Sequence, residues 1–526
     1  MPSASTRNDA LLAELKPKDL GHGSPVEECM DGTRRDILTA IDDWIEDLQA
    51  PNILWLKGHP GVGKSAVAAS VVERLQASRR LGSSFFFQRD TAILTTPAAL
   101  WRTVAFDLAR KYPSVRSIIV VKLSADEVGP STANINVLFR RLIHESLMAS
   151  TDIPRGRFPV VVVDALDECG GLDGQYSNHR ASLLHTLKSW STLPSGFKLM
   201  VTSRGEDDIV DALSAIKHHL VDISSGQVVS VQSSDDIRSF LQRRFLAIAT
   251  RYPRSLPADW PGPRIVDELV GKAAGLFVYA ETVLRFIVRG EPQLQLRQIQ
   301  QGEMRNGDMG ELYSRILTIS FPDPNPELVH AFHSIIGAII LVKVPLSPLS
   351  LGTLLGINMS MMDFICQGLR SVLHADEVLR FSHQSFVDFL VDPQRCPPLF
   401  YVSLGPQNRQ LVQACLQVMK QELRFNICNI PSSYYRNTDV VDLPGQIEGC
   451  ISPQLSYSCC FLADHLQEIA YEQGIAEELW DFMENQFLYW LEVLSLTNHV
   501  PTISEVLSAM ATWVQVRFLL FIILFA

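Results

Sequence analysis

The sequence predicts an α/β core built on a doubly wound parallel sheet, with all-α domains after it. Three observations lead there. Short apolar runs alternate with helical spacing between residues 51 and 225, the order that right-handed crossovers turn into a parallel sheet. A glycine-rich turn, Gly58-His-Pro-Gly-Val-Gly63-Lys64-Ser65, lies between one such run and a helix. After Ser224 the strand-like runs stop and helical spacing takes over.

In chain order, residues 1–30 read as a flexible lead-in punctuated by Gly21, Gly23 and Pro25. Ile37, Leu38, Ile41, Trp44, Ile45 and Leu48 recur at helical spacing, and Pro51 closes that helix. Residues 52–57, 83–88, 157–163 and 197–202 are the expected strands. The β-branched run before Asp164 suits a central strand covered on both faces. Helices are expected over 65–75, from Thr96-Pro97 onward, and over 136–148 and 183–190. Beyond the sheet, 235–251, 265–274 and 278–288 read as helices. Three short helices within 330–369 and a brief strand at 377–381 fit a winged-helix module, and 405–515 is helical again.

Composition bounds the class. The 526 residues exceed one ordinary core. Lys+Arg 46 against Asp+Glu 57 leaves a net charge of −11, which argues against a nucleic-acid-coating surface. Nine scattered cysteines without a C-x-x-C favour a reducing, cytoplasmic setting over a disulfide scaffold. His22 and the pair His218-His219 lack metal-ligand spacing, and Cys169 reads as a packed thiol. The apolar end, Phe518–Ala526, is shorter than the roughly 20 residues a membrane helix needs. It reads as a truncated or misjoined terminus, with no membrane expected.

The chemistry is concentrated in three strand ends. Gly58 to Ser65 fits G-x-x-x-x-G-K-[ST] in full. Gly58, Gly61, Val62 and Gly63 let backbone N–H groups turn toward phosphates, and the helix start at Lys64, Ser65 and Ala66 adds partial positive charge. Lys64 would reach the β/γ-phosphates, and the Ser65 hydroxyl would ligate Mg²⁺. The second strand end, Val160-Val-Val-Val-Asp164-Ala-Leu-Asp167-Glu168, offers Asp164 to the Mg²⁺ shell. Glu168 or Asp167 would orient or deprotonate a water. The third, Lys198-Leu-Met-Val-Thr202-Ser203-Arg204, would face Thr202 and Arg204 toward the γ-phosphate, although Arg204 also fits a helix-capping surface arginine. The combination is that of a P-loop NTPase core.

Six ordered landmarks then carry a resemblance. They are Asp31-Gly-Thr-Arg34, Ile53-Leu-Trp-Leu56, Val163 to Glu168, Val201 to Arg204, Gly275-Leu-Phe-Val-Tyr-Ala280, and Phe381-Ser-His383-Gln-Ser-Phe-Val-Asp388-Phe-Leu390. Residues of about 27–520 resemble a NACHT-type signalling NTPase of the STAND class, of the fungal NLR-like kind with a nephrocystin-3-like N-terminal ATPase module. The resemblance implies an ATP/ADP switch with slow hydrolysis that self-oligomerises when activated; it names neither trigger nor effector. It divides the chain into a lead-in (1–30), a NACHT domain (31–225), a helical lid (226–325), a winged helix (326–400) and a helical linker region (401–526). It places His383 near the nucleotide, against the plainer reading of a histidine packed among Phe381, Phe386 and Phe389. It likewise places Thr33 and Arg34 near the base or ribose, against a simple helix cap. Phe277 stands where relatives carry a proline at the adenine. An AAA+-like mechanochemical ATPase and a nucleotide-binding scaffold without hydrolysis are the alternatives.

Overall fold

The computed structural model describes residues 4–15, 27–125, 127–129, 132–154, 157–226, 229–301, 305–432 and 434–525. Its chain divides into two compact units, Met1–Met309 and Gly310–Ala526. The first unit opens with α1 (Ala4–Ala13) and α2 (Arg35–Glu46), then β1 (Ile53–Gly58), α3 (Lys64–Ala77) and β2 (Leu81–Phe86). Next come α4 (Pro97–Lys111), α5 (Pro113–Ser124), α6 (Ile135–Phe139), a π-turn over Arg140–His144, and α7 (Glu145–Met148). The remainder is β3 (Val160–Asp164), α8 (Asn178–Trp190), β4 (Lys198–Ser203), α9 (Asp207–Ser214) and β5 (His219–Ile223), then α10 (Val231–Arg251), α11 (Pro263–Ala273), α12 (Phe277–Ile287) and α13 (Pro292–Gln300).

The five strands form one parallel sheet in the order β2-β3-β4-β1-β5. Every residue of β3 and β4 is buried, as expected of central strands covered on both faces. The path from β1 to β2 passes over β4 and β3, whereas the path from β4 to β5 crosses to the other side of β1. The carboxyl end of β1 is therefore a switch point, where such sheets present their ligand sites. The four anticipated strands are all present. β5 escaped the sequence reading because it is a half-exposed edge, with Leu220 at 48% exposure, and so lacks a continuous apolar run.

The lead-in differs from expectation. Ala4–Ala13 is helical, and Leu12 and Leu15 are buried in the same core as Trp101 and Phe139. Arg116 Nη2 lies 2.6 Å from Asp9 Oδ1. Two leucines one turn apart supply too short a pattern for periodicity to register. Residues 16–26 of that lead-in lie outside the described residues. Farther along, the Thr96 hydroxyl accepts the Ala99 N–H, as its position before Pro97 suggested.

The second unit begins within α14 (Met309–Ser320). It continues through α15 (Pro326–Leu341), α16 (Pro348–Leu355), α17 (Met359–Gly368), the antiparallel pair β6 (Leu373–His374) and β7 (Arg380–Phe381), and α18 (Gln384–Leu390). The ribbon starts earlier than residue 377, because Leu373 and His374 form its first arm. Then follow α19 (Leu404–Glu422), α20 (Leu443–Cys450), α21 (Pro453–Gln467), α22 (Gln473–Asn485), α23 (Phe487–Leu496) and α24 (Ile503–Phe525). The unit boundary falls at 309/310. Tyr313 of α14 packs on Phe386 at 4.9 Å and bonds the Ser385 hydroxyl at 2.8 Å. Helix α24 continues through residue 525 where a break in pattern was expected, and Ala526 lies outside the described residues. Among the described residues no helix is long and apolar enough to cross a membrane.

The first unit's core is centred on Trp101, Phe139 and Trp190, with the two indoles stacked 6.0 Å apart. Trp190 also donates its Nε1–H to the Phe197 carbonyl at 3.0 Å. Trp190→Ala is expected to destabilise the unit by about 3–5 kcal/mol through cavity formation and an orphaned carbonyl. Tyr434→Ser, at a 94% exposed residue, should stay within about 0.5 kcal/mol of the parent. Denaturant midpoints of the two variants check the contrast.

Candidate nucleotide site

The glycine-rich turn leaves β1 and feeds α3. Gly61 (φ 82°) and Gly63 (φ 93°) occupy left-handed backbone, which a residue with a Cβ adopts only under strain. No side chain caps α3, so its first N–H groups are left to the concave side of the turn, the arrangement that suits an anion. Lys64 Nζ donates to the Gly58 and His59 carbonyls at 2.8 and 3.0 Å. Burial holds its ammonium below the usual lysine range, while Asp167 and Asp164 pull it back up.

Facing the turn is the carboxyl end of β3. Asp164 is 3% exposed. It accepts the Thr202 hydroxyl at 2.5 Å and is also hydrogen-bonded by Ser65. Burial raises its carboxyl above the ordinary range, and those two hydroxyls offset part of the rise. Ser65 and Asp164, assigned together from separate segments, are thus brought into direct contact.

Thr202 is fully buried, donates to Asp164 and accepts the Ala165 N–H at 2.9 Å, so it ties the acid-bearing turn to the end of β4. Arg204 is ion-paired with Asp167 (Nε–Oδ2 3.1 Å), and its backbone N–H donates to the other Asp167 oxygen at 3.0 Å. It caps no helix, since α9 starts after Glu206. The side chain of Asp167 is 5% exposed and paired with Arg204.

Glu168 keeps a partly exposed edge, but its carboxyl is enclosed. Desolvation first, then Asp167, pushes it up to about 8, and Arg89 and Arg204 work against that rise. Oε2 accepts the Arg89 N–H at 3.1 Å, and Arg89 Nη2 donates to the Asp167 carbonyl at 3.1 Å. Sequence reading missed Arg89. It follows β2 without a motif, and only the β2–β3 pairing sets it against the acids.

Arg34 lies on the opposite rim. It is 3% exposed and adopts left-handed backbone at the start of α2. Its guanidinium donates to the Val62 carbonyl at 2.6 Å and to the Ser233 hydroxyl at 2.7 Å, and its backbone N–H donates to Asp236 at 3.0 Å. It also stands 4.9 Å over the Phe277 ring. The Val278 N–H, at the start of α12, donates to the Gly61 carbonyl at 3.1 Å. The neighbouring Thr33 hydroxyl is turned to the Met30 carbonyl at 2.7 Å. Val62 is fully buried, while Ala66 sits part-exposed in the first turn of α3. His383 belongs to the second unit, where its Nδ1 accepts the Ser385 N–H and caps α18. Cys169 is a packed thiol pushed up to about 12 by burial.

The donor set fits Mg²⁺ and a nucleotide. A carboxylate beside a hydroxyl gives hard oxygen ligands; inward N–H groups with a lysine suit polyphosphate. Among the described residues no group of three or more His, Cys, Asp or Glu is placed to hold a metal ion, so the carboxylate–hydroxyl pair would share Mg²⁺ with phosphate and water oxygens.

This geometry is that of a P-loop NTPase module. Residues 32–204, which include Arg34, the glycine-rich turn, both acids and Arg204, match the family model Nephrocystin 3, N-terminal. Over 541 aligned residues the chain is 24% identical to the vegetative incompatibility protein HET-E-1 of Podospora anserina, covering 94% of this chain and 37% of that protein's length. Solved structures similar to it include a STAND protein with a tetratricopeptide repeat sensor from Pyrococcus horikoshii (12% identity, 95% of this chain, 66% of that one, TM-score 0.40). Another is the ORC2 protein of Aeropyrum pernix in its ADPNP–ADP complexes (11% identity, 76% of this chain, 97% of that one, TM-score 0.33).

A pH dependence follows from Glu168. Below its ordinary 4.5 the carboxyl is protonated in both folded and unfolded chains and contributes nothing. Between 4.5 and about 8 the unfolded chain releases the proton while the folded chain keeps it, so stability falls as pH rises. Glu168→Gln, which cannot ionise, should raise the thermal midpoint at pH 8 and leave it nearly unchanged below pH 4.5. Melts across that range check it.

Proposed function

We propose that this chain is an ATP/ADP-operated signalling switch with slow hydrolysis, in an NLR-like recognition, defence or incompatibility role. The observation that carries the reading is the double hold on the phosphate turn. Val62 and Gly61 are gripped by Arg34 and by the start of α12, so a nucleotide that moves this turn is felt directly by the helices after the sheet. Lys64, bonded to carbonyls of its own turn, is positioned to exchange them for phosphate oxygens. The Asp164–Ser65 pair would hold Mg²⁺, which supplies charge neutralisation at the β- and γ-phosphates. Glu168 would accept a proton from water, and Arg204 would keep Asp167 neutralised beside it.

The wider assignment belongs to the same proposal. Residues 226–325 are the lid, and 326–400 the winged helix, supported by three helices followed by a two-stranded ribbon. Residues 401–526 form the linker region. His383 keeps the nucleotide-sensing role that resemblance implies. Activation by ATP drives self-association in the cytoplasm, with no nucleic-acid or membrane partner. HET-E-1, the 24% identical relative, is a vegetative incompatibility protein, and this supports the biological setting.

Nucleotide extracted from purified protein should be ADP, and Lys64→Ala should arrive empty. Hydrolysis should stay well below about 1 s⁻¹, under the ordinary enzyme range, and should rise roughly tenfold per pH unit as pH climbs toward about 8. Faster sustained turnover points instead to a mechanochemical ATPase, and binding without turnover to a scaffold. Light scattering with ATP against ADP checks assembly; a monomer under both sinks the switch.

A further inference from the structure

Arg180 has no part in the motifs above, yet it is the most completely enclosed charge beside them. Its side chain is 0% exposed. It projects from the first turn of α8 into the gap between the loop after β3 and the loop after β4. Nε donates to the Cys169 carbonyl at 3.1 Å, and Nη2 donates to the Asp167 carbonyl. Nη1 donates to Glu206 Oε2 at 2.8 Å and stands 3.6 Å from Asp208 Oδ2. Both Asp208 oxygens are buried without a hydrogen bond.

Every edge of the guanidinium is therefore used, on two loops that carry different parts of the site. The β3 loop bears Asp167 and Glu168; the β4 loop bears Arg204 one residue before Gly205 and Glu206. A rigid five-donor fork holds such a gap where a flexible ammonium would not. Resting on the reading of Glu168 as the water-handling acid, we propose that Arg180 is a positioning residue for hydrolysis. It sets the separation of the β3 and β4 loops, and through the Asp167 carbonyl it sets the direction in which Glu168 leaves the backbone. It touches neither nucleotide nor metal, so it governs turnover and not affinity.

The test uses the full chain with Mg²⁺-ATP and Mg²⁺-ADP. Affinity comes from calorimetry and hydrolysis from single-turnover quenching. Arg180→Met should leave both dissociation constants within about threefold while hydrolysis falls at least about tenfold, the split expected of an interaction felt only in the chemical step. Arg180→Lys, which keeps charge without the fork, should recover part of the loss. The double variant E206Q/D208N removes both negative charges that face Nη1 while leaving Arg180 in place. It should lower hydrolysis in the same direction by a smaller factor, and it carries the test should Arg180→Met not fold. Unchanged hydrolysis in these variants, or an equal fall in affinity and turnover, overturns the proposal. Glu168→Gln is the separate control. If that variant hydrolyses ATP at the parental rate, the reading of Glu168 fails, whatever Arg180 does.

Discussion

The site depends on how one buried aspartate is neutralised. Asp167 lies almost out of solvent beside two further acids, a cost that would be prohibitive without compensation. Arg204 meets its carboxylate twice, through the guanidinium and the backbone N–H. Arg89 and Arg180 meet its carbonyl from either side. Three arginines, two just after β2 and β4 and one from the first turn of α8, converge on a single residue after β3, so these segments are cross-linked where the chemistry is placed. Glu168, next in the chain, inherits its orientation from that junction.

A second constraint acts across the turn from these acids. Arg34 and Val278 hold the Val62 and Gly61 carbonyls, so the segment before the sheet and the helices after it both grip the phosphate turn. Left-handed glycines make the turn deformable in just the region that is gripped.

Much of this was legible from residue order. Gly58 to Ser65, the β-branched run into Asp164 and the Thr-Ser-Arg strand end all carry local signatures, and their strands follow from continuous apolar runs. The Thr202–Asp164 bond was not legible, because sequence shows that a polar residue ends a strand, not which neighbour it meets. Arg204 stayed open between two roles for the same reason. Arg89 and Arg180 left no signal, since an isolated arginine after a strand or in a first helical turn is ordinarily a solvated surface residue. The half-exposed edge strand β5 and the packed helix α1 were missed because each is short and lacks a clear period.

The sequence by itself determined the class of chemistry: a phosphate-binding turn, an acid-tipped strand and a parallel sheet are each written in contiguous residues whose spacing is their function. Only the tertiary structure decided how the charges are shared. Strand order β2-β3-β4-β1-β5 brings Arg89 and Arg204 to Asp167, and Arg180 joins them from α8. Burial there makes each buried group take a partner, and partners distant in sequence are selected by packing, which no local pattern records.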